Sequence, residues 1–371
     1  MPGNDPITLP PSTATTTVRV IDSTATIHYP TSFFFTDPIE SHDDINCPAY
    51  SFLISSESKT HTRHVLFDLG VRKDWKTGLP GPFIERLKKV NANCTVEKDV
   101  QEILDEAATT TSEGGDLPRS KDIEAIIWSH HHFDHTGNPA LFPKSVPLVV
   151  GPGFKEAVLP GYPADDASSV PSSDWEGREL IELDLEKDER AIQIGPFQAL
   201  DYFSDGSFYL LSTPGHAPGH LSGLARVTPN TFVFMGGDAA HHAGELRPTE
   251  YLPLPDTLPL PSSQRFAQSG CPGEILANLQ PNRKGSRTTP FYEPSTHINQ
   301  NSQEAIRSIR SITQLDASDD VIIILAHDRH LQDKIPLFPK SITSWREDDL
   351  DAKTRWLFVD DFAGSADKAA A

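Results

Sequence analysis

Ser129-His130-His131-His132-Phe133-Asp134-His135-Thr136-Gly137-Asn138 follows the apolar run Ile123-Glu124-Ala125-Ile126-Ile127-Trp128. The run reads as a buried strand, so the histidines arrive where a strand gives way to a loop. His130, His132, Asp134 and His135 place three imidazoles and a carboxylate in one short turn. Neutral imidazole and carboxylate oxygen suit zinc, and they also suit iron and manganese. A surface histidine patch in mid-chain behind an apolar strand is the far weaker alternative.

Three later segments repeat the pattern of a functional side chain at a strand end. Phe208-Tyr209-Leu210-Leu211 leads into Thr213-Pro214-Gly215-His216, with His220 one turn further on. Thr231-Phe232-Val233-Phe234-Met235 ends in Gly236-Gly237-Asp238, and Val321-Ile322-Ile323-Ile324-Leu325-Ala326 ends in His327. A single His or Asp at a strand end is usually structural. Four strand ends in succession deliver His130, His132, Asp134, His135, His216, Asp238 and His327, too many ligands for one metal ion and the right number for two. A carboxylate such as Asp238 can bridge two ions, which one imidazole nitrogen cannot. His131 points away, because alternate residues of an extended segment face opposite sides. His220 reads as a packing or supporting residue, and Asp68, at the end of Arg63–Asp68, as either a support for a ligating histidine or a turn cap.

Composition bounds the function. The 371 residues carry 52 Asp and Glu against 32 Lys and Arg, a net charge of −20, which argues against nucleic acid as a partner. An acidic thioester carrier is disfavoured by the same charge. No apolar run approaches the ~20 residues of a membrane span, and the first residues lack the pattern of a secretion signal, so a soluble cytoplasmic protein with no membrane partner is expected. Cys47, Cys94 and Cys271 are too few and too scattered for a disulfide framework.

Further along the chain, 18–29 reads as one or two strands, and Tyr50–Ile54 with Arg63–Asp68 as a hairpin closed by the turn 55–62. Residues 82–108 read as two helices broken near Asn91–Cys94, and 146–150 and 191–194 as further strands. Residues 248–300 hold Leu252-Pro253-Leu254-Pro255 and its near-repeat Leu258-Pro259-Leu260-Pro261, and read as a lid or pocket wall. The expected organisation is a flexible arm over 1–16, one domain over 17–345 containing the Pro-rich 248–300 insertion, and an extension over 346–371 in which Trp356-Leu357-Phe358-Val359 adds an edge strand.

The order His-x-His-x-Asp-His, Thr-Pro-Gly-His, Gly-Asp and Ala-His-Asp resembles the metallo-β-lactamase superfamily. Pro48–Ile54 with Leu66-Phe67-Asp68-Leu69-Gly70, and Thr213–His220 followed by Leu221-Ser222, are most similar to its N-acyl-homoserine lactonase branch. The resemblance covers about residues 45–335. It implies an α+β four-layer αβ/βα sandwich, two mixed sheets with outer helices. It also implies two zinc ions, one on His130, His132 and His216, the other on Asp134, His135 and His327, with Asp238 bridging. Hydroxide held between them would attack a small-molecule carbonyl, with Asp134 passing a proton to the leaving group. The leading substrate is then a lactone, and a cyclic amide or carbamate is the close rival. A di-iron redox protein is the alternative from another class, with no flavin module in view. In those lactonases a tyrosine three residues after the bridging Asp hydrogen-bonds the carbonyl. Here His241 stands there, followed by His242; His241 is the candidate donor, and His242, Tyr251, Phe266 and Tyr292 are candidate substrate contacts.

Overall fold

Residues 7–57, 61–90, 92–110, 117–281 and 283–371 are described by the structure, a computed structural model. Residues 1–6 of the expected arm, the tip of the 55–62 turn and Asn91 lie outside them. Among the described residues two six-stranded sheets dominate. In the first, Thr16–Asp22, Tyr50–Glu57 and Thr62–Phe67 pair antiparallel, and Ala125–Ile127, Leu148–Val150 and Leu180–Glu182 add in parallel. In the second, Ala191–Ile194, Phe197–Asp201, Phe208–Ser212, Leu221–Thr228 and Thr231–Met235 form an antiparallel meander. Val321–Ile324 then joins in parallel after the helix Ser302–Asp316.

Alternation along the strands explains the layering. Val20, Phe52, Phe67 and Ile127 of the first sheet meet Leu210, Ala225, Val233 and Ile322 of the second in one buried core. On the opposite face of the first sheet, Leu53, Leu66 and Ile126 pack on Val100 and Leu104 of the helix Val100–Thr110. On the outside of the second, Leu211, Phe234 and Ile323 pack on Ile309, Ile312 and Leu315 of Ser302–Asp316. Strand positions two apart and helix positions three or four apart thus share faces, giving helix, sheet, sheet, helix. Each such fully buried side chain contributes at most about 1.5–3 kcal/mol.

A fourth apolar cluster covers one end of this sandwich. It takes Ile27, Tyr29, Ile45, Cys47 and Cys94 from a small sheet of Thr26–Pro30 flanked by Asp44–Cys47 and Asn93–Thr95. Leu254, Leu258, Leu260 and Leu276 enter it from the Pro-rich segment, and Phe358, Val359 and Phe362 from the end of the chain. The expected edge strand at Trp356–Val359 is instead a 3-10 helix, Leu357–Phe362, followed by the helix Ala363–Ala369. Phe358 and Phe362 stand one helical turn apart with ring centroids 6.1 Å apart, a helical spacing that a strand would send to unrelated positions. Of the expected arm, Ile7 and Leu9 lie against the outer face of the second sheet, and the Ser12 hydroxyl donates to the Asp205 carbonyl at 2.6 Å. Among the described residues no helix is long and apolar enough to cross a membrane.

Candidate metal centre

Each chemical segment leaves the same end of a sheet. Trp128 and Ser129 carry the chain from Ala125–Ile127 to His130, and the helical turn Phe133–Thr136 presents Asp134 and His135. The turn is pinned by the Trp128 indole N–H, which donates to the Thr136 carbonyl at 3.1 Å, and by Gly137, where an added Cβ would meet the Leu69 carbonyl oxygen at 2.6 Å. The loop before His216 is held against the start of Ser302–Asp316. Gly215 has φ +125°, and a side chain there would meet the Ala305 amide at 2.0 Å, so only glycine fits. The backbone N–H of Gln300 donates to the His216 carbonyl and that of Asn301 to the Gly215 carbonyl.

The seven candidate ligands converge. His216 Nε2 lies 3.2 Å from His130 Nε2 and 2.9 Å from His132 Nδ1, and Asp238 Oδ2 stands 3.3 Å from His216 Nε2 and 3.7 Å from His130 Nε2. The other oxygen, Oδ1, lies 3.0 Å from both His135 Nε2 and His327 Nε2. His327 Nε2 is in turn 3.5 Å from Asp134 Oδ2. His130, His132, His216 and Asp238 form one group able to hold an ion; Asp134, His135 and His327 form another. One carboxylate therefore faces two donor clusters.

Electrostatics fits a cation in each. Burial holds His130, His132 and His216 well below the ordinary histidine pKa, reinforced by their imidazole neighbours, so the nitrogens keep the lone pairs that a metal uses. His135 and His327 go the other way. Burial opposes their charged forms, but Asp238 and Asp68 outweigh it and raise His135 to about 10, while Asp238 and the Cys47 thiol raise His327 well above its usual value. Asp238, buried but surrounded by these imidazoles, is held well below the carboxylate range, and burial raises Asp134. His135 Nε2 and Asp238 Oδ1 are buried and 3.0 Å apart, yet neither makes a hydrogen bond. Buried ligand atoms without hydrogen-bond partners, in an imidazole and carboxylate set, fit a divalent ion.

Surrounding groups aim the ligands. Asp68 Oδ2 accepts from the His135 Nδ1–H at 2.8 Å and from the Ser129 hydroxyl at 2.8 Å, while its Oδ1 accepts from the Ser129 amide at 2.6 Å. His327 Nδ1 donates to the Pro48 carbonyl at 2.7 Å. His220 Nδ1 pairs with the Thr213 hydroxyl at 2.9 Å, and its Nε2 accepts from the Asp238 amide at 3.0 Å, so this imidazole is spent on holding Asp238. The His131 ring packs by Phe154 and makes no approach to Asp238.

Substrate-side candidates divide. His241 is buried beside the cluster, with Nε2 3.5 Å from Asp238 Oδ2 and neither nitrogen hydrogen-bonded. Beneath it the buried Glu245 carboxylate, which burial raises to about 7, accepts from the His241 amide at 2.6 Å. His242 turns away: its Nε2 donates to Asp361 Oδ2 at 3.0 Å, and its Nδ1 accepts from the Gly244 amide at 2.9 Å. Tyr292 joins that second group, its hydroxyl 2.5 Å from His42 Nδ1 and its ring stacked on Phe35. Phe266 packs at the edge of the covering cluster, and Tyr251 is half-buried in the Pro-rich segment. Cys47 and the aromatic group Tyr29, Phe33 and Phe34 also border the site, and the run Phe33-Phe34-Phe35 is their signal in the sequence. Phe34 packs on the His241 ring at 4.7 Å between centroids.

Known proteins resemble this chain in sequence and in fold. Residues 118–319 match the sequence model of the metallo-beta-lactamase superfamily. The chain is 44% identical over 356 residues to the metallo-hydrolase mfmC of Annulohypoxylon moriforme, covering 95% of this chain and 89% of that protein. It is 40% identical over 365 residues to the gamma-lactamase FDB1 of Fusarium pseudograminearum, covering 96% and 85%. In fold it is similar to an N-acyl homoserine lactone hydrolase solved with N-hexanoyl-L-homoserine at its catalytic metal centre, with a TM-score of 0.55 at 16% identity, covering 88% of this chain and 99% of that one. The chain belongs to the metallo-β-lactamase superfamily and is a metal-dependent hydrolase.

Proposed function

We propose that this protein opens the ring of a small cyclic ester or cyclic amide at a dinuclear zinc centre. The observation that carries the reading is the Asp238 carboxylate, whose Oδ2 faces His130 and His216 and whose Oδ1 faces His135 and His327. His130, His132 and His216 would hold one ion, Asp134, His135 and His327 the other, and Asp238 both. Two bound ions supply a water of lowered pKa and polarise a carbonyl oxygen.

The chain's own groups do the rest. Asp68, the Pro48 carbonyl and His220 fix the directions of His135, His327 and Asp238, so little reorganisation accompanies reaction. His241, unpaired on both nitrogens, is available to a substrate carbonyl. Asp134, with Oδ2 3.5 Å from His327 Nε2, would pass a proton to the departing oxygen or nitrogen. The covering apolar cluster, to which Tyr29, Phe34 and Phe133 belong, would exclude bulk water and suits a small apolar ring.

Both ring types need the same attack on a carbonyl. The cyclic ester has the better leaving group, whereas the full-length likeness to a gamma-lactamase favours the cyclic amide. A side-by-side assay of γ-butyrolactone, an acylated homoserine lactone, 2-pyrrolidinone and a ring-fused cyclic carbamate, with and without a chelator, tests the proposal. Chelator-sensitive opening of at least one ring is expected. Turnover of linear thioesters or phosphodiesters alone would overturn it.

A further inference from the structure

The small sheet covering the metal centre has one buried face. Ile27 and Tyr29 alternate inward along Thr26–Pro30, and the residues across from them, Cys47 and Cys94 beside Ile27 and Ile45 beside Tyr29, are buried as well. This face meets the centre directly, because the Cys47 thiol reaches His327. The Tyr29 ring is stacked on Phe33, with centroids 5.2 Å apart and planes within 5°, and meets the edge of Phe34 at 5.3 Å. Phe34 in turn lies on His241. Tyr29 is therefore fixed in the wall by aromatic contacts on two sides and is 7% exposed.

Its hydroxyl is not used by the fold. Among the described residues it makes no hydrogen bond, and its oxygen is not one of the sealed-in atoms left without a partner, so the hydroxyl keeps access to whatever occupies the space beside it. The ring could be held equally well by phenylalanine. Burial, together with the negative charge of Asp134 and Asp238, keeps the phenol protonated far above neutrality, so it can only act as a neutral donor or acceptor. A rigid, protonated and unpartnered O–H beside a centre built to act on carbonyls has the chemistry of a carbonyl or carboxylate recognition group.

We infer that Tyr29 is a catalytic residue whose hydroxyl donates a hydrogen bond to the acyl oxygen of the bound substrate and, after ring opening, to the carboxylate of the product. No covalent bond to Tyr29 forms, and its proton is shared and not transferred. The inference rests on the ring-opening reading above for the identity of the acyl group. It supplies from the first eighth of the chain a phenol that the loop after Asp238 lacks, where His241 and His242 stand. Tyr292, the other buried phenol of the covering cluster, is engaged with His42 and is not available for this role.

The test compares the metal-loaded protein with Tyr29→Phe, which keeps the ring and all its packing. Metal content and melting temperature should be unchanged. On the best substrate of the panel, kcat should fall on the order of 100-fold with KM changed much less, the usual consequence of losing a donor to a developing oxyanion. Separately, binding of 4-hydroxybutyrate and 4-aminobutyrate, the open forms of the simplest lactone and lactam, is measured by calorimetry. Binding should weaken on the order of 10-fold in the variant, the worth of one hydrogen bond of about 1.4 kcal/mol. If the parent opens no ring of the panel yet the variant still loses acid binding, the ring-opening reading fails and the role of Tyr29 in acyl recognition stands. Equal kcat, KM and acid binding in parent and variant overturn the inference, as does a parent that neither opens a ring nor binds either acid.

Discussion

The Nε2 atom of His220 accepts a 3.0 Å hydrogen bond from the backbone N–H of Asp238, while its Nδ1 is paired with the Thr213 hydroxyl. A histidine surrounded by candidate ligands is thus committed to fixing the one carboxylate that faces both clusters. His220→Ala should lower metal affinity or activity about 10- to 100-fold, the usual cost of losing a group that orients a ligand. Titration against a competing chelator reads the affinity. Metal retention equal to the parent would show that Asp238 needs no such support.

The support of His135 by Asp68 makes a companion prediction. Asp68→Asn keeps the size but weakens acceptance from the His135 Nδ1–H and the Ser129 hydroxyl. The ion held by Asp134, His135 and His327 should be lost first, leaving a variant whose metal content tends toward one ion per chain. Equal loss of both ions would contradict the separate roles of the two clusters.

Buried histidines set the pH dependence of the metal-free protein. Burial depresses His42 and His220 to about 3, and their neighbours' charges do not reverse it. Their unfolded value is about 6.5. A depressed pKa means the unfolded chain takes up the proton first, so this contribution is present above pH 6.5 and is lost as pH falls toward about 3. His135, raised to about 10, has the opposite sign: its contribution is full below pH 6.5 and is lost as pH rises through about 10. Urea midpoints of the chelated protein should therefore peak near pH 6 to 7, on the order of the unperturbed histidine pKa, and fall on both sides. A midpoint that keeps rising toward acid or alkali would contradict these assignments.

Asp361 gathers the end of the chain onto the site loops. Its buried carboxylate accepts from His242 Nε2 at 3.0 Å and His330 Nε2 at 2.9 Å, and pairs with the Arg329 guanidinium. Asp361→Ala leaves these donors without their anion and should cost about 3 kcal/mol of stability. Denaturant melts read the loss, and the metal content should survive under native conditions because none of the seven candidate ligands is touched. A stability change within about 0.5 kcal/mol, the range of an ordinary surface substitution, would contradict it.

The legibility of the sequence follows from what is local. His130, His132, Asp134 and His135 fall within one turn, and His216, Asp238 and His327 each close an apolar run, so strand-end position and residue type were readable together. The outer helix Val100–Thr110 and most long strands were legible through their periodicity, whereas the helix Ser302–Asp316 was not singled out. Leu221–Thr228 was not, because seven of its eight residues are buried and no alternation survives. The aromatic wall was missed because Tyr29 reaches the centre only through pairing of Thr26–Pro30 with strands that begin at Asp44 and Asn93. His242 and Tyr292 looked like substrate contacts from their neighbourhood in sequence. Their partners, Asp361 and His42, come from the two far ends of the chain. Trp356–Val359 was read as a strand from its apolar character, where the spacing of Phe358 and Phe362 carried the better signal.

Metal analysis by plasma mass spectrometry, on protein purified without chelator in zinc-supplemented medium, tests the central claim that Asp238 spans two ion sites. The account predicts close to two ions per chain in the parent and a marked loss of metal in Asp238→Ala. A parent holding one ion or none while hydrolysing its best substrate at full rate would contradict it.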